Sequence, residues 1–451
     1  MIKKNDEYIV KIIDNGFNGE GIAKINDFTI FIPNVLKNEK LKIKILKVNK
    51  SFAFAKVMEI IEKSPVRVKE DCNTYSKCGG CHLRHMNYDE TLKLKREIVE
   101  NNLRKQGLGD IKVNECVGMK NPYYYRNKLQ YPIQKADDGR IVMGVYRQRS
   151  HDVIETKECK IQNQKIQEIA NDIFDFIKNN NLSVYHEKVH KGNIKHIIVR
   201  VGVKTNEYMV TLVAREKKIE HEQELIDMLT EKYPEIKTIV ININKEKTNV
   251  ILGNENIVIF GDGYIYDELL GFRFKISPMS FYQINPYQTE VLYGKAIEYA
   301  DLTGEETIFD LYCGIGSIGI CTSKKAKRIY GIETIKEAIE DAKENSKINS
   351  LENAEFFVGD VENALPEFLE KNNILADCVF IDPPRKGCEK SVLETLMMIK
   401  PKKIVYISCN PATLARDLKI LSEKYNIGEV TPVDMFCWTS HVECVTALYL
   451  K

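Results

Sequence analysis

Cys409 stands in Ile407-Ser408-Cys409-Asn410-Pro411, directly after the apolar run Ile404-Val405-Tyr406-Ile407. A run so short, built of β-branched and aromatic residues, reads as a buried strand. Asn-Pro after it predicts a turn, because the residue before a proline is pushed out of the helical region. The thiol is therefore expected at the carboxyl end of a strand, where open α/β sheets place their ligands. A cysteine is more often a small hydrophobe than a nucleophile, so its neighbours decide its role. One strand earlier, Asp382-Pro383-Pro384-Arg385 sets a carboxylate at a strand end. Downstream, Glu443 opens the apolar strand Val442-Glu443-Cys444-Val445-Thr446, where a carboxylate without a task is costly to bury. A strand-end ion pair is the alternative for Glu443.

A glycine loop adds a cofactor. Asp310-Leu311-Tyr312-Cys313-Gly314-Ile315-Gly316-Ser317-Ile318-Gly319 satisfies G-x-G-x-x-G, and Glu333 lies nineteen residues past Gly314 at the next strand end. This is the dinucleotide fingerprint, with Glu333 on a ribose hydroxyl. The same backbone suits S-adenosylmethionine, which has no pyrophosphate. Asp310, just ahead of the loop, repels a pyrophosphate but can face a cationic methionine portion. Asp360, ending Val358-Gly359-Asp360, is placed to meet an adenine amino group. These residues favour S-adenosylmethionine over NAD.

The elements that must position these residues follow from periodicity. From residue 300 strands alternate with helical segments: Thr307 to Leu311, Arg328 to Ile332, Glu355 to Val358, Asp377 to Ile381 and Lys403 to Ile407. That pattern predicts a doubly wound, Rossmann-like parallel sheet, followed by strands at Glu429 to Phe436 and Glu443 to Leu450. Residues 8–60 read as short strands broken by turns, as in a small oligonucleotide-binding barrel. Basic residues interleave there with Phe31, Phe52 and Phe54, which are assigned mainly to the barrel core. Tyr88 to Leu108 is expected as a helix stopped at Gly107, and 120–270 as α+β. The run Tyr123-Tyr124-Tyr125-Arg126-Asn127-Lys128 suits either RNA stacking or a half-buried strand edge.

The chain has 451 residues, 43% hydrophobic and 29% charged, which fits two to four globular domains. No stretch is long and apolar enough to span a bilayer, and residues 1–7 have no apolar signal region, so a cytoplasmic protein without a membrane partner is expected. The net charge of +2 hides an asymmetry: residues 1–130 carry 25 Lys/Arg against 16 Asp/Glu. A basic N-terminal part on an otherwise acidic chain suggests a nucleic-acid partner. Of twelve cysteines, Cys72, Cys78 and Cys81 with the distant Cys159 form an ordered set. Four thiolates suit an iron–sulfur cluster or zinc. His82 and His85 beside them are assigned to the surface or to RNA rather than to the metal.

Together these pieces resemble the uracil-5 RNA methyltransferases. The resemblance spans nearly the whole chain: the barrel at 1–60, Cys72-x5-Cys78-Gly79-Gly80-Cys81, Ser280-Phe281-Tyr282-Gln283-Ile284-Asn285, the Asp310 loop, Asp382-Pro383-Pro384-Arg385, Ser408-Cys409-Asn410-Pro411 and His441-Val442-Glu443. It implies a TRAM-like barrel (1–60), a central iron–sulfur domain (61–270) and a class I S-adenosylmethionine-dependent methyltransferase domain (271–451), with the helix at 88–108 packed on the last. It makes Cys409 the nucleophile and Glu443 the base, and assigns Gln283, Tyr312, Glu333, Asp382 and, less firmly, Asp360 to the cofactor. It favours a [4Fe–4S] cluster on Cys72, Cys78, Cys81 and Cys159. It points to 23S ribosomal RNA, with transfer RNA as the alternative, and a monomer is the default state. Phe281 and Tyr282 are offered as stacking or packing residues. The competing readings are an NAD-dependent oxidoreductase and a non-catalytic RNA-binding scaffold.

Overall fold

The computed structural model describes residues 2–16, 18–136, 138–372 and 374–451. Three large sheets follow one another along the chain. The first has six strands in the order Glu7–Lys11, Lys40–Val48, Phe52–Glu62, Phe28–Ile32, Gly21–Ile25 and Asp14–Asn15. Alternation drives it: Leu41, Ile43 and Ile45 are fully buried, while the intervening Lys42 and Lys44 are more exposed. Phe31, Phe52 and Phe54 are not part of that core. Each is half-buried on the outer face, and their ring centroids lie 5.4–6.0 Å apart. Their strand positions alternate with Ile30, Ile32, Ala53 and Ala55, which take the interior. The guanidinium of Arg149 lies 5.9 Å from the Phe54 ring.

The second sheet has seven strands, with Ile194–Gly202 at its centre between Glu207–Ala214 and Lys128–Lys135. Helices Gln164–Asn179 and Glu222–Lys232 supply apolar faces to its core, through Ile166, Ile169, Ile173 and Leu225 among others. A two-stranded hairpin, Ile265–Leu269 with Phe272–Ile276, leads into the third sheet.

The third sheet is numbered here β1 Thr307–Leu311, β2 Arg328–Glu333, β3 Ala354–Val358, β4 Cys378–Ile381, β5 Lys403–Ser408, β6 Tyr425–Val433 and β7 Glu443–Leu450. The spatial order is β3-β2-β1-β4-β5-β7-β6. The first five are parallel and β7 runs antiparallel to both β5 and β6. The order reverses between β1 and β4, which creates the crevice where such sheets bind ligands. Among the described residues no helix is long and apolar enough to cross a membrane.

The helix Tyr88–Lys105 packs against this third sheet. Asn87 caps it by accepting from the Asp89 backbone N–H at 3.0 Å, and Arg104 and Lys105 complement the dipole at its far end. It ends three residues before Leu108, because Gln106 caps it and Gly107 takes a left-handed φ of 72°. Val99 and Leu103 share a buried cluster with Tyr406, Leu414 and Leu418. Between them and the loop after β6 runs an ion pair of Lys95 with Asp434, both side chains 0% exposed. Tyr88 Oη donates to the second Asp434 oxygen at 2.7 Å, and Lys95 Nζ also donates to the Phe436 carbonyl at 3.1 Å.

Removing one partner of such a pair leaves an uncompensated buried charge. Lys95→Met should destabilise the protein by about 3–5 kcal/mol, measured by denaturant unfolding at neutral pH. Asp434→Asn added to Lys95→Met should recover part of that loss, because the buried charge is then gone.

Candidate active site

The site is assembled where β1, β4 and β5 end and the antiparallel β7 begins. Leu311 pairs with Ile381, Ile381 with Tyr406, and Ser408 with Cys444. The residues just beyond these pairs are Asp382, Cys409 and Glu443, so the sheet register alone brings them to one edge. Pro411 at the start of helix Pro411–Leu421 and Asn410 as its cap fix the turn that carries the thiol. Asn410 Nδ2 also donates to the Arg385 carbonyl at 3.0 Å, tying that turn to the Asp382-Pro383-Pro384-Arg385 loop. Beneath both lies Asp417, fully buried, which accepts from the Cys388 N–H at 2.9 Å and from Tyr406 Oη at 2.6 Å.

Electrostatics make the edge acidic and dry. Glu443 is 4% exposed, and its carboxylate makes no hydrogen bond or ion pair among the described residues. Burial, with Asp382 beside it, pushes its pKa up to about 8, while Arg385 opposes the shift. Burial lifts Asp382 to about 6. The Cys409 thiol is half-buried and is raised to about 12 by burial and by Glu443 and Asp382, again against Arg385. Arg385 is thus the cation that favours a thiolate at this edge.

The glycine loop lies next to it. Gly314 and Gly316 take left-handed φ of 53° and 79°. A Cβ on Gly316 would meet Phe356 at 2.9 Å, whereas one on Gly314 would meet nothing within 4 Å. The loop is therefore packed on one side and open on the other. Asp310 is fully buried; its Oδ2 accepts from the Gly319 N–H at 2.8 Å, and its Oδ1 has no hydrogen-bond partner. Burial raises it to about 7. An orphaned carboxylate oxygen beside an open glycine backbone fits the cationic end of S-adenosylmethionine.

The other residues singled out from sequence divide. Glu333 spans the loop: Oε2 accepts from the Gly314 N–H at 3.3 Å, and Oε1 from the Thr334 and Ile335 N–H groups at 2.8 and 3.1 Å. Tyr312 is held at φ 63°, its hydroxyl directed to Cys388. Gln283 is half-buried, and its carbonyl accepts from Asn127 Nδ2 at 2.9 Å. Asp360 stands exposed before helix Val361–Asn372, without a side-chain hydrogen bond among the described residues. Phe281 is 74% exposed beside Gln283, whereas Tyr282 is buried and donates to Asp267 at 3.3 Å. Sequence reasoning missed Tyr293, a buried residue of helix Pro286–Ala300. Its hydroxyl lies 3.3 Å from Ser317 Oγ and feels both Asp310 and Asp382. No local signal marks it, because the distant packing of that helix puts it there.

The four ordered thiols lie in one neighbourhood but, among the described residues, are not gathered into a metal-binding group. All are free and half-buried, and Cys159, Cys78 and Cys72 each oppose ionisation of Cys81. Among the described residues no three His, Cys, Asp or Glu side chains are grouped to hold a metal ion. His85 is not a surface residue: it is 0% exposed, with Nδ1 2.6 Å from Tyr75 Oη. Tyr125 is likewise buried, its hydroxyl donating to the Cys437 carbonyl at 3.2 Å.

Comparison with known proteins decides between the readings. The family model described as tRNA (Uracil-5-)-methyltransferase matches residues 87–451, and the TRAM domain matches 3–58. The chain belongs to this methyltransferase family. An uncharacterized RNA methyltransferase of Clostridium tetani is 49% identical over 98% of this chain and 96% of its own. One from Bacillus cereus is 44% identical over 99% and 97%. The crystal structure of Pyrococcus abyssi tRNA (uracil-54, C5)-methyltransferase in complex with S-adenosyl-L-homocysteine superposes with a TM-score of 0.79 and 28% identity. It covers 98% of this chain and 100% of the other. The enzyme is an S-adenosylmethionine-dependent RNA (uracil-5-)-methyltransferase, not an NAD-dependent oxidoreductase or an inert scaffold.

The buried Glu443 carboxyl carries a pH signature. Unfolded Glu443 ionises near 4.5 and the native group near 8. Between those values the native state binds more protons, so stability falls as pH rises. Glu443→Gln should therefore be more stable than the natural enzyme above pH 8, by on the order of 3–5 kcal/mol. The difference should shrink towards zero near pH 4.5 in unfolding experiments across this range.

Proposed function

We propose that the enzyme methylates carbon 5 of a specific uridine in 23S ribosomal RNA through a covalent intermediate on Cys409. The observation that carries this reading is the convergence of Cys409, Asp382 and Glu443 at adjoining strand ends. Carbon 5 of uracil is a weak nucleophile. Addition of the Cys409 sulfur to carbon 6 forms a carbon–sulfur bond, releases the thiol proton and moves the ring electrons onto carbon 5. Bound S-adenosylmethionine supplies the electrophilic methyl group. Gln283, Tyr312, Glu333, Asp360, Asp382 and the Asp310 loop are the residues proposed to hold it. Glu443 then takes the proton from carbon 5, the carbon–sulfur bond breaks, and the electron pair returns to sulfur. A pKa near 8 suits a group that must accept a proton and later give it up. The target uridine must leave its stack to reach so buried an edge, and exposed Phe281 is placed to stack on it. Phe31, Phe52 and Phe54 offer a further stacking face on the barrel.

We read the chain as a TRAM-like barrel (1–60), a central domain (61–270) and a catalytic domain (271–451), with helix Tyr88–Lys105 joined to the last. A [4Fe–4S] cluster on Cys72, Cys78, Cys81 and Cys159 is supported by the number and type of thiolates and by the family resemblance, not by their placement, since among the described residues no three of them are grouped to hold a metal ion. No step of the methylation needs an electron, so its place is structural. Anaerobically purified protein should be brown and contain about four irons per chain. A colourless zinc protein would contradict the assignment.

The family resemblance read from the barrel and the four ordered cysteines is what points to the ribosomal substrate. A specific observation favours transfer RNA as the second reading: the Pyrococcus abyssi tRNA enzyme shares the fold over the whole chain. Mapping 5-methyluridine in a deletion strain separates them. Loss from 23S ribosomal RNA is expected; loss confined to transfer RNA would overturn the substrate assignment. For the mechanism, Cys409→Ala should abolish both turnover and covalent RNA binding. Glu443→Gln should stall as a protein–RNA adduct that survives denaturing electrophoresis. Normal turnover by Cys409→Ala would sink the mechanism.

A further inference from the structure

The loop between β6 and β7 carries the chain from Val433 to Glu443, and its centre is Trp438, the single tryptophan of the protein. Trp438 is 5% exposed and has a left-handed φ of 66°. A bulky aromatic residue persists in that region only when its surroundings impose it. The surroundings come from two distant segments. From the cysteine-bearing loop, the His82 and Leu83 N–H groups both donate to the Trp438 carbonyl, at 2.8 and 2.9 Å. The Arg84 guanidinium stacks 5.1 Å from the Trp438 ring and 5.1 Å from Tyr123, and is itself paired with Asp71. From the tyrosine run, Trp438 Nε1 donates to the Pro122 carbonyl at 2.9 Å.

The grip continues towards Glu443. His82 Nδ1 lies 3.2 Å from Ser440 Oγ, and the His82 and His441 rings stand 5.6 Å apart. Cys81 and Cys159 pack in the same apolar cluster as Trp438 and Cys437. The segment that bears three of the four ordered cysteines is thus one wall of the tryptophan's socket. Cys409 is anchored differently, through β5, Asn410 and helix Pro411–Leu421.

We infer that Trp438 is a positioning residue: its socket on the cysteine-bearing loop holds the β6–β7 loop so that Glu443 meets the adduct formed at Cys409. The integrity of the cysteine-bearing loop thereby reaches the proton-removal step and spares the addition step. This rests on the reading of Glu443 as the base.

The test uses full-length protein and RNA extracted from a deletion strain. Trp438→Ala should lower kcat by about 100-fold, the cost of misplacing a reacting group by roughly an ångström, with little change in KM. Covalent adduct should accumulate as it does in Glu443→Gln. Trp438→Phe, which keeps a ring but loses the bond to Pro122, should recover much of the turnover. Arg84→Gln, which leaves the tryptophan in place, carries the same test if Trp438→Ala does not fold. In the natural chain the lone tryptophan reports on its own socket, so Cys81→Ser should shift its emission to the red. Adduct in Glu443→Gln but none in the Trp438 and Arg84 variants, or equal slowing of adduct formation and resolution, overturns the positioning role and leaves the base assignment standing. Absence of adduct in Glu443→Gln overturns the base assignment and this inference with it. Unchanged emission in Cys81→Ser overturns the link to the cysteines.

Discussion

Asp310, Asp382 and Glu443 stand at one edge of the seven-stranded sheet, and burial raises the pKa of each, to about 7, 6 and 8. Desolvated carboxyl groups side by side weaken a fold, and apolar packing must offset them. The sheet does this by sinking β1, β4 and β5 in two apolar layers, so that Ile308, Phe309, Val379, Phe380, Ile404 and Val405 are all inaccessible. What the edge gains is a thiol and three buried or partly buried carboxyl groups gathered at adjoining strand ends. Arg385, exposed at the rim, is the counter-charge that opposes the upward shift of the Cys409 thiol.

The N-terminal part of the chain is built into this edge. Helix Tyr88–Lys105 reaches the loop after β6 through the Lys95–Asp434 pair, across 339 residues of sequence. Asn285 and Gln288, at the start of helix Pro286–Ala300, donate to the Met435 and Asp434 carbonyls at 2.9 and 3.2 Å. The strap that ends in Glu443 is therefore held by the cysteine-bearing loop, Pro122, helix Tyr88–Lys105 and the start of helix Pro286–Ala300, and its geometry depends on all of them. The base role proposed for Glu443 needs such support, because small displacements of a reacting group cost large factors in rate.

Much of the catalytic edge was legible in the sequence because it depends on local rules. Apolar runs ending at Asp310, Asp382 and Cys409 mark strand ends, and in a parallel sheet the strand ends fall on one side. Gly314 and Gly316 are where the turn needs them. What sequence could not show depends on contacts between distant segments. Tyr293 enters the site by the packing of its helix, and Lys95 looks like any exposed helical lysine until Asp434 is beside it. Phe31, Phe52 and Phe54 looked like core because aromatic residues usually are. The interior of so small a barrel is filled by Ile, Leu, Val and Ala, and the alternation left the three rings outside. His85 was misread for the opposite reason, since its burial beside Tyr75 comes from the fold of the cysteine-bearing loop.

The central claim is that one thiol among twelve, Cys409, adds to carbon 6 of the target uracil so that carbon 5 can take a methyl group. Its most direct test is RNA carrying 5-fluorouridine, incubated with the enzyme and S-adenosylmethionine, followed by protease digestion and mass spectrometry of the linked peptide. Fluorine on carbon 5 cannot leave as a proton to Glu443, so the addition product should be trapped. The account predicts a methylated fluorouridine nucleotide attached to Cys409 and to no other cysteine. Linkage to any of the other eleven thiols, or complete methylation of uridine RNA with no trapped species from the fluorinated one, would contradict it.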